Sequence, residues 1–437
     1  MKKTQVLFLL FYLLLPARIH AGNSENYFQQ NIIYEIKAEL DDLNHRIKGS
    51  IRITYENKSN QELDTIWFHL WPNAYSGRNT PLCKQLLIDR DTSLYFSKET
   101  DLGRITDYQF SVNGSPVDIF KEGANPEIVG LLLNSKLEPG GQIIIETPFN
   151  VEVPDARFSR LGRDNYSYNL TQWYPKPAVF DKGGWHCMSY LSRGEFYSEF
   201  GDFEVELTVP SNYTVAASGD LVTESERIYL NQLDVETRRK LTDGSKYLSK
   251  EVEPIATSPD KKIVRYELKN AHDFAWFASK YYQVMLDTVV LGSGKKIATS
   301  VFFGSKRKDL WEDALEYSKS GLLFLSNEIG DYPYESFAVV DGRISAGGGM
   351  EYPGITILNT PGSASDLERV LVHELGHNWF YGALASNERD NPWMDEGMNS
   401  FYEYRYMSES RKSNDPSTAN GITRFLTKAL GVGSLSI

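Results

Sequence analysis

The sequence of 437 residues contains only two cysteines, which excludes a fold held together by a disulfide scaffold. It has no tract of basic residues, and 46 Lys and Arg against 58 Asp and Glu give a net charge of −12. This acidic balance argues against nucleic acid as the main partner. Beyond the N-terminal segment, no apolar run is long enough to predict a transmembrane helix. The other values, 41% hydrophobic and 24% charged residues, are typical of globular proteins, and the length predicts two or three domains.

The N-terminal segment has the pattern of a secretory signal peptide over residues 1–21. Two lysines precede the almost wholly apolar run Val6–Pro16, and Ala21 offers a small residue for cleavage. An uncleaved membrane anchor is the alternative. We therefore expect a secreted or periplasmic protein, membrane-associated only if the signal stays attached. In an oxidising compartment Cys83 and Cys187 either pair or remain buried free thiols, and the sequence leaves both options open.

Residues 22–290 are predicted to form a β-rich domain. Apolar and polar residues alternate along several segments, which is typical of antiparallel strands with one face in solvent. Strands are predicted over 32–40, 51–55, 64–70, 142–146, 203–209, 213–216, 272–277 and 284–291. Residues 223–262 are polar without a clear period, and we interpret them as a surface insertion or long hairpin.

Residues 291–437 have mixed α and β character and are predicted to form a second domain. Apolar residues at helical spacing predict a helix over 308–329, and strands follow over 336–340 and 355–358. A long helix is predicted over 365–384, with Ser365 as its N-cap. Two more helices are predicted, one from Pro392 to about 408 and a short amphipathic one over 421–430.

The long helix contains the sequence His373-Glu374-Leu375-Gly376-His377. Two histidines four residues apart share one helix face, so both rings can reach one metal ion. This H-E-x-x-H pattern is a signature of zinc peptidases, in which the glutamate activates a water molecule. Gly376 costs a helix interior about 1 kcal/mol relative to alanine, which predicts close packing at that point.

Glu396 is the candidate third ligand. Eighteen residues separate it from His377, and it falls on the next predicted helix. Two antiparallel helices joined by residues 385–391 would bring Glu396 beside both histidines. Two nitrogens and one oxygen form a ligand set suited to Zn²⁺, with one ion per chain. The alternative is a buried histidine pair and an unrelated surface glutamate.

A glycine run, Gly347-Gly348-Gly349, precedes Met350 and Glu351. Alone it is typical of a glycine turn before a strand. Beside a zinc site that hydrolyses peptides, however, an acidic residue can bind the free α-amino group of a substrate. The combination favours an exopeptidase that acts at the N-terminus.

These motifs together resemble the M1 aminopeptidases, the gluzincin family that includes alanyl aminopeptidase and leukotriene A4 hydrolase. The resemblance covers most of the mature chain, including the segment Glu195–Phe203 and the triplet Asn387–Arg389. It implies an N-terminal antiparallel β-rich domain, saddle- or sandwich-like, followed by an α/β thermolysin-like zinc peptidase domain. It also implies a zinc-dependent aminopeptidase whose substrates are peptides with a free N-terminus.

The resemblance implies a role for each motif residue. Glu374 would act as general base toward the zinc-activated water and then protonate the leaving amine. Glu351 would anchor the substrate amine, while the backbone of residues 347–350 aligns the peptide like an added strand. Gln172 is a candidate for a second amine contact, with a buried structural amide as the alternative. The implied site residues are the zinc ligands His373, His377 and Glu396, the base Glu374, and the substrate-binding residues Glu351, Gly348, Gly349, Met350 and Gln172.

The sequence departs from the family pattern at two points. Tyr352 stands where the family's glycine-rich motif has asparagine, and the tyrosine that stabilises the transition state is expected beyond Ile437. We therefore expect a chain that is truncated at its C-terminus, with an incomplete catalytic domain. Three alternatives remain: a zinc endopeptidase, an epoxide hydrolase on the same scaffold, and a peptide-binding protein with impaired catalysis.

Overall fold

The computed structural model describes residues 27–412 except 122, 124, 243–253, 305–307 and 361. The predicted signal peptide and the predicted helix over 421–430 lie outside the described residues. The α-helices are α1 Pro81–Ile88, α2 Glu224–Thr242, α3 Lys308–Trp311, α4 Ala314–Ile329, α5 Ala364–His377 and α6 Glu396–Lys412. The strands are β1 Asn31–Asp41, β2 Arg46–Glu56, β3 Leu63–His69, β4 Arg104–Thr106, β5 Ser111–Val112, β6 Ser115–Pro116, β7 Ile119–Lys121, β8 Ile128–Leu137, β9 Gln142–Glu152, β10 Gly162–Arg163, β11 Ser167–Leu170, β12 Lys176–Pro177, β13 Val179–Asp181, β14 Gly184–His186, β15 Gly201–Pro210, β16 Thr214–Ala217, β17 Asp220–Leu221, β18 Lys261–Ala271, β19 Trp276–Ser279, β20 Gln283–Val290, β21 Lys296–Phe303, β22 Ser336–Asp341, β23 Gly349–Tyr352 and β24 Ile355–Leu358.

The N-terminal half is built on a large sheet in the order β17-β18-β15-β1-β2-β9-β5-β6, with β4 also paired to β9. Its neighbours are antiparallel except β1 and β15, which run parallel. In β1 every second side chain is buried, from Ile32 to Leu40, while the residues between them face solvent. The alternation of apolar and polar residues in the sequence thus reflects one buried and one solvated face of the sheet, as predicted.

Smaller sheets complete this half, in the orders β10-β11-β19-β16 and β12-β3-β8-β7. Two helices were not predicted here. Helix α1 has Pro81 in its first turn and is capped by Thr80, whose side chain accepts a hydrogen bond from the Cys83 backbone. Helix α2 occupies nearly half of residues 223–262, the segment interpreted as a surface insertion or long hairpin, and the hairpin alternative is wrong for residues 224–242.

The second half contains a sheet in the order β20-β21-β22-β24-β23. Strands β21, β22 and β24 run parallel, whereas β20 and β23 pair antiparallel at its two edges. The predicted domain boundary after residue 290 falls between β20 and β21, so this sheet extends across it; the boundary itself remains a prediction. Because β23 is an edge strand of the described sheet, its outer backbone groups are available to pair with another strand.

Helix α4 packs against β20 and β21, helix α5 packs against β23 and β24, and helix α6 packs against both helices. The predicted helix over 308–329 is interrupted between Trp311 and Ala314. The predicted N-cap, Ser365, is wrong: Ser363 caps α5 by accepting a hydrogen bond from the Asp366 backbone. The predicted long helix continues past His377 as one π-helical segment, Asn378–Ala383.

Two further predictions concern the cysteines and the membrane. Cys83 is buried, Cys187 is partly exposed, and the structure has no disulfide between them. Within the described part of the chain, no helix combines the length and the hydrophobicity that crossing a bilayer requires.

Candidate active site

The two histidines of α5 converge as their spacing predicts. The Nε2 atoms of His373 and His377 lie 3.2 Å apart, and their rings meet edge to face with centroids 4.8 Å apart. Both lie in the last turns of a regular helix, where residues four apart share one face. Two nitrogen donors therefore point at one position.

Glu396 returns to this position because α6 folds back against α5. Its Oε2 atom lies 3.4 Å from Nε2 of His373. The two helices approach closely at Gly376, where a Cβ atom would lie 1.9 Å from Oδ1 of Asn399 on α6. Asn399 also donates a hydrogen bond to the His373 carbonyl at 2.7 Å. Gly376 is thus explained by helix contact, as the sequence predicted.

A carboxylate supports the outer nitrogen of each histidine. Nδ1 of His377 lies 2.5 Å from Oδ1 of Asp395, which is fully buried. Nδ1 of His373 lies 3.0 Å from Oε2 of Glu403. Such partners fix the ring orientation and leave the other nitrogen free to bind a metal. Neither acid was predicted from sequence, although Glu403 follows Glu396 by two helical turns and could have been found by helical spacing.

The electrostatics of this group favour a cation. Burial alone would lower the pKa of His373, but hydrogen bonds to Glu396 and Glu403 raise it to about 10. The same contact with His373 lowers the pKa of Glu396 to about 2. The surrounding carboxylates therefore stabilise positive charge where the two histidines meet.

The donor set fits a zinc ion. The ligand atoms of His373, His377 and Glu396 all lie within 4.8 Å of one another. Two imidazole nitrogens and one carboxylate oxygen form a common catalytic zinc set. His377 is fully buried, whereas 54% of the Glu396 side chain is exposed, so the group opens to solvent on one side. A catalytic metal needs such an open side for water or substrate.

Glu374 points from α5 toward strand β23. A Cβ atom on Gly349 would lie 2.6 Å from both Cγ and Oε1 of Glu374, so only glycine lets the strand pass this carboxylate. Glu351, two residues along β23, lies beside Glu374, and both acids lie close to His377. Burial raises the pKa of Glu351 well above its usual value, and the nearby charges of Glu195 and Glu374 raise it further.

The other predicted substrate-binding residues are Gly348, Met350 and Gln172. Gly348 is exposed at the start of β23, and Met350 is buried on the face of the sheet that meets the N-terminal half. Gln172 is 2% exposed, and its Nε2 atom donates a hydrogen bond to Asp273 at 3.0 Å. Burial raises the pKa of Tyr381, which follows α5, well above its usual value, and the charges of Glu195, Asp273 and Glu351 raise it further. Gln172 therefore belongs to a buried polar cluster around Asp273.

The segment 195–203, part of the family resemblance, contacts the chain between helices α5 and α6. The Glu195 backbone donates to Glu388 at 2.7 Å, and the Tyr381 hydroxyl donates to the Phe196 carbonyl at 2.5 Å. Arg160 is fully buried, and the two terminal nitrogens of its guanidinium group donate hydrogen bonds to the Glu195 carboxylate. The N-terminal half thus anchors the loop that returns Glu396.

Comparison with known proteins identifies the fold. No family model matches the chain, and no curated protein matches its sequence. Solved structures do match: the M1 zinc metallopeptidase from Deinococcus radiodurans superposes with a TM-score of 0.57 at 15% identity, over 94% of this chain and 77% of that one. The chain has the M1 zinc metallopeptidase fold. A mutant of the Deinococcus enzyme bound to a Tyr-Ser-Ala substrate superposes with a TM-score of 0.58, over 93% of this chain and 76% of that one. The M1 fold predicted from the motifs is confirmed, while the roles of individual residues remain predictions.

Proposed function

We propose that the protein is a zinc-dependent aminopeptidase that hydrolyses the N-terminal peptide bond of peptides. The observation that carries this proposal is the position of Glu351, a buried carboxylate beside Glu374 and close to the candidate metal ligands. Support also comes from similar structures, since mutants of a two-domain M1 zinc metallopeptidase were solved with L-tryptophan and with L-arginine.

Glu351 shares a hydrogen bond with the neighbouring acid Glu374 but has no cationic partner in the described part of the chain. Among the described residues, no basic side chain lies within salt-bridge distance of it, and Arg160, whose charge lowers its pKa, is paired with Glu195. A buried charge without a partner is costly. The ammonium group of a peptide N-terminus would supply the missing charge and would place the first peptide bond next to the metal ligands and Glu374.

His373, His377 and Glu396 would hold the zinc ion. When bound, zinc supplies Lewis-acid polarisation of the scissile carbonyl and lowers the pKa of water toward 7. Glu374 is buried between the metal ligands and β23, where it can take a proton from the attacking water and return it to the leaving amine. The outer edge of β23 can pair with the peptide backbone, which aligns the substrate with both glutamates.

Substitution of Glu374 tests the mechanism. Glu374→Gln keeps the shape of the side chain and leaves every proposed zinc ligand in place, so the variant should bind zinc normally and lose turnover. Turnover that survives in a fully zinc-loaded variant would remove Glu374 from the mechanism.

Substitution of Glu351 tests the specificity. Glu351→Gln should weaken hydrolysis of peptides with a free N-terminus far more than it changes zinc content. Equal losses on free and N-acetylated peptides would exclude the amine anchor and favour an endopeptidase. Zinc binding without turnover on either peptide would instead favour a peptide-binding protein with impaired catalysis, and turnover of an epoxide alone would favour the hydrolase alternative.

We also propose that the protein works outside the cytoplasm, as the sequence of residues 1–21 predicts. Peptides with free N-termini are its proposed partners. N-terminal sequencing of the mature protein tests the cleavage site, because a chain that still begins at Met1 would contradict it.

A further inference from the structure

Asn378 directly follows the candidate metal ligand His377 and begins the π-helical segment. Its side chain is buried, with the residue 2% exposed. Oδ1 accepts hydrogen bonds from the Gly354 backbone at 3.0 Å and from the Tyr332 hydroxyl at 3.3 Å, while Nδ2 donates to the Leu375 carbonyl at 3.0 Å. One buried amide therefore joins the end of α5 to two distant parts of the chain.

Gly354 belongs to the turn that joins β23 to β24. Only Pro353 and Gly354 separate the two strands, and Gly354 has a φ angle of +75°, in the left-handed region that favours glycine. Its carbonyl accepts a hydrogen bond from the Ala338 backbone of β22 at 2.9 Å, and its N–H donates to Asn378. Since Gly354 is buried, its N–H needs such a partner, and the turn is held where Oδ1 of Asn378 lies.

The turn holds one end of β23 on α5, and Gly349 holds the other. Gly349 lies so close to Glu374 that no Cβ atom fits between them. Glu351 lies between these two points, two residues after Gly349 and three before Gly354. Because both ends of this short strand are held on α5, the position of Glu351 relative to Glu374 and His377 is fixed from both sides.

The neighbours of Asn378 decide which way its amide points. The Gly354 N–H can only donate and the Leu375 carbonyl can only accept, so Oδ1 must face the turn and the NH₂ group must face the helix. An aspartate at this position would keep an acceptor for Gly354, whereas a leucine of similar shape would remove it. The two substitutions therefore separate the hydrogen bond to the turn from the space that the side chain fills.

We propose that Asn378 is a positioning residue, which holds the turn between β23 and β24 on α5 and thereby sets the position of Glu351, the proposed amine anchor. The proposal rests on the aminopeptidase function. Without the hydrogen bond from Gly354 to Asn378, β23 can shift along α5, and the substrate ammonium would then meet Glu351 at a different distance from the metal ligands and Glu374.

The test is a double-mutant cycle with Glu351→Gln on the full zinc-loaded chain, with an unblocked alanine reporter substrate. Asn378→Leu should raise KM about tenfold, the effect of losing one hydrogen bond to a charged group, while zinc content stays unchanged. Asn378→Asp keeps the acceptor for Gly354, so its KM should stay closer to that of the wild type. In the Glu351→Gln background, Asn378→Leu should not raise KM further, because Asn378 acts through Glu351.

Tyr332→Phe is the matched control, since it removes the other hydrogen bond to the same Oδ1 atom, leaves the bond to the turn in place and should not change KM. If Asn378→Leu does not fold, Asn378→Ala removes the same hydrogen bonds with a smaller side chain and takes its place in the cycle. Independent effects of Asn378 and Glu351 on KM, an unchanged KM in Asn378→Leu, or equal losses in the leucine and aspartate variants would overturn the proposal. A wild-type protein that cleaves N-acetylated and free substrates equally would overturn the aminopeptidase function instead.

Discussion

Replacing Gly349 with alanine should separate zinc binding from catalysis. The methyl group would lie 2.6 Å from Cγ and Oε1 of Glu374, whereas carbon atoms in ordinary contact are about 3.5–4.0 Å apart. Either the strand or the carboxylate must therefore move by about 1 Å. The three atoms nearest to this methyl position all belong to Glu374 and none to a proposed zinc ligand, so zinc content should not change.

The expected loss follows from that displacement. Misplacing a catalytic group by about 1 Å can lower the rate about 100-fold, which is about 2.7 kcal/mol in activation free energy. The assay is kcat/KM on an unblocked peptide, with zinc content measured on the same sample. Gly362→Ala is the control, because a Cβ atom there meets nothing within 4 Å. A Gly349→Ala variant as active as this control would refute the reasoning that β23 lies against Glu374.

Three other changes give distinct outcomes. Gly376→Ala should displace α6 and reduce zinc content, and adding Asn399→Ala should restore part of it, because a Cβ atom would lie 1.9 Å from Oδ1 of Asn399. Asp395→Asn or Glu403→Gln should lower zinc affinity about 10- to 100-fold in competition with a chelator, whereas unchanged affinity would exclude their supporting role. Burial raises the pKa of Glu199 from 4.5 to about 8. Between these two pH values the folded state binds a proton that the unfolded state has lost, so the free energy of unfolding falls as the pH rises. Glu199→Gln should therefore raise Tm at about pH 8 by more than at about pH 5, and equal shifts would contradict the buried neutral carboxyl.

The local parts of the site could be predicted from sequence. His373 and His377 converge because helical geometry alone places side chains four residues apart on one face. Glu396 joins them because the loop between the helices is short. Strand β1 could be predicted since only one of its faces is buried, which imposes alternation on its sequence.

Helix α2 was missed because few of its side chains are buried. Only Glu226, Leu230 and Thr237 are buried along its length, and a single apolar residue among them gives no helical period. The N-cap of α5 was misplaced because Ser363 and Ser365 both precede acidic residues at capping distance, and the sequence does not distinguish them.

The contacts between the candidate metal ligands and the acids that support them depend on tertiary packing. The spacing of Asp395 and Glu403 is visible in the sequence, but their pairing with the outer nitrogens depends on how α6 crosses α5. Likewise, the glycine run alone was typical of a turn before a strand and gave no sign of which residue it would contact. In the structure Gly349 lies against Glu374, so this glycine is needed for the position of the proposed catalytic base and not for a turn.

Hydrolysis of one peptide with a free N-terminus and of its N-acetylated form, by protein of measured zinc content, tests the function most directly. We expect one zinc ion per chain, release of the first amino acid from the free peptide, and no cleavage of the acetylated one. Cleavage of both at equal rates, or zinc-loaded protein that cleaves neither, would contradict the aminopeptidase function.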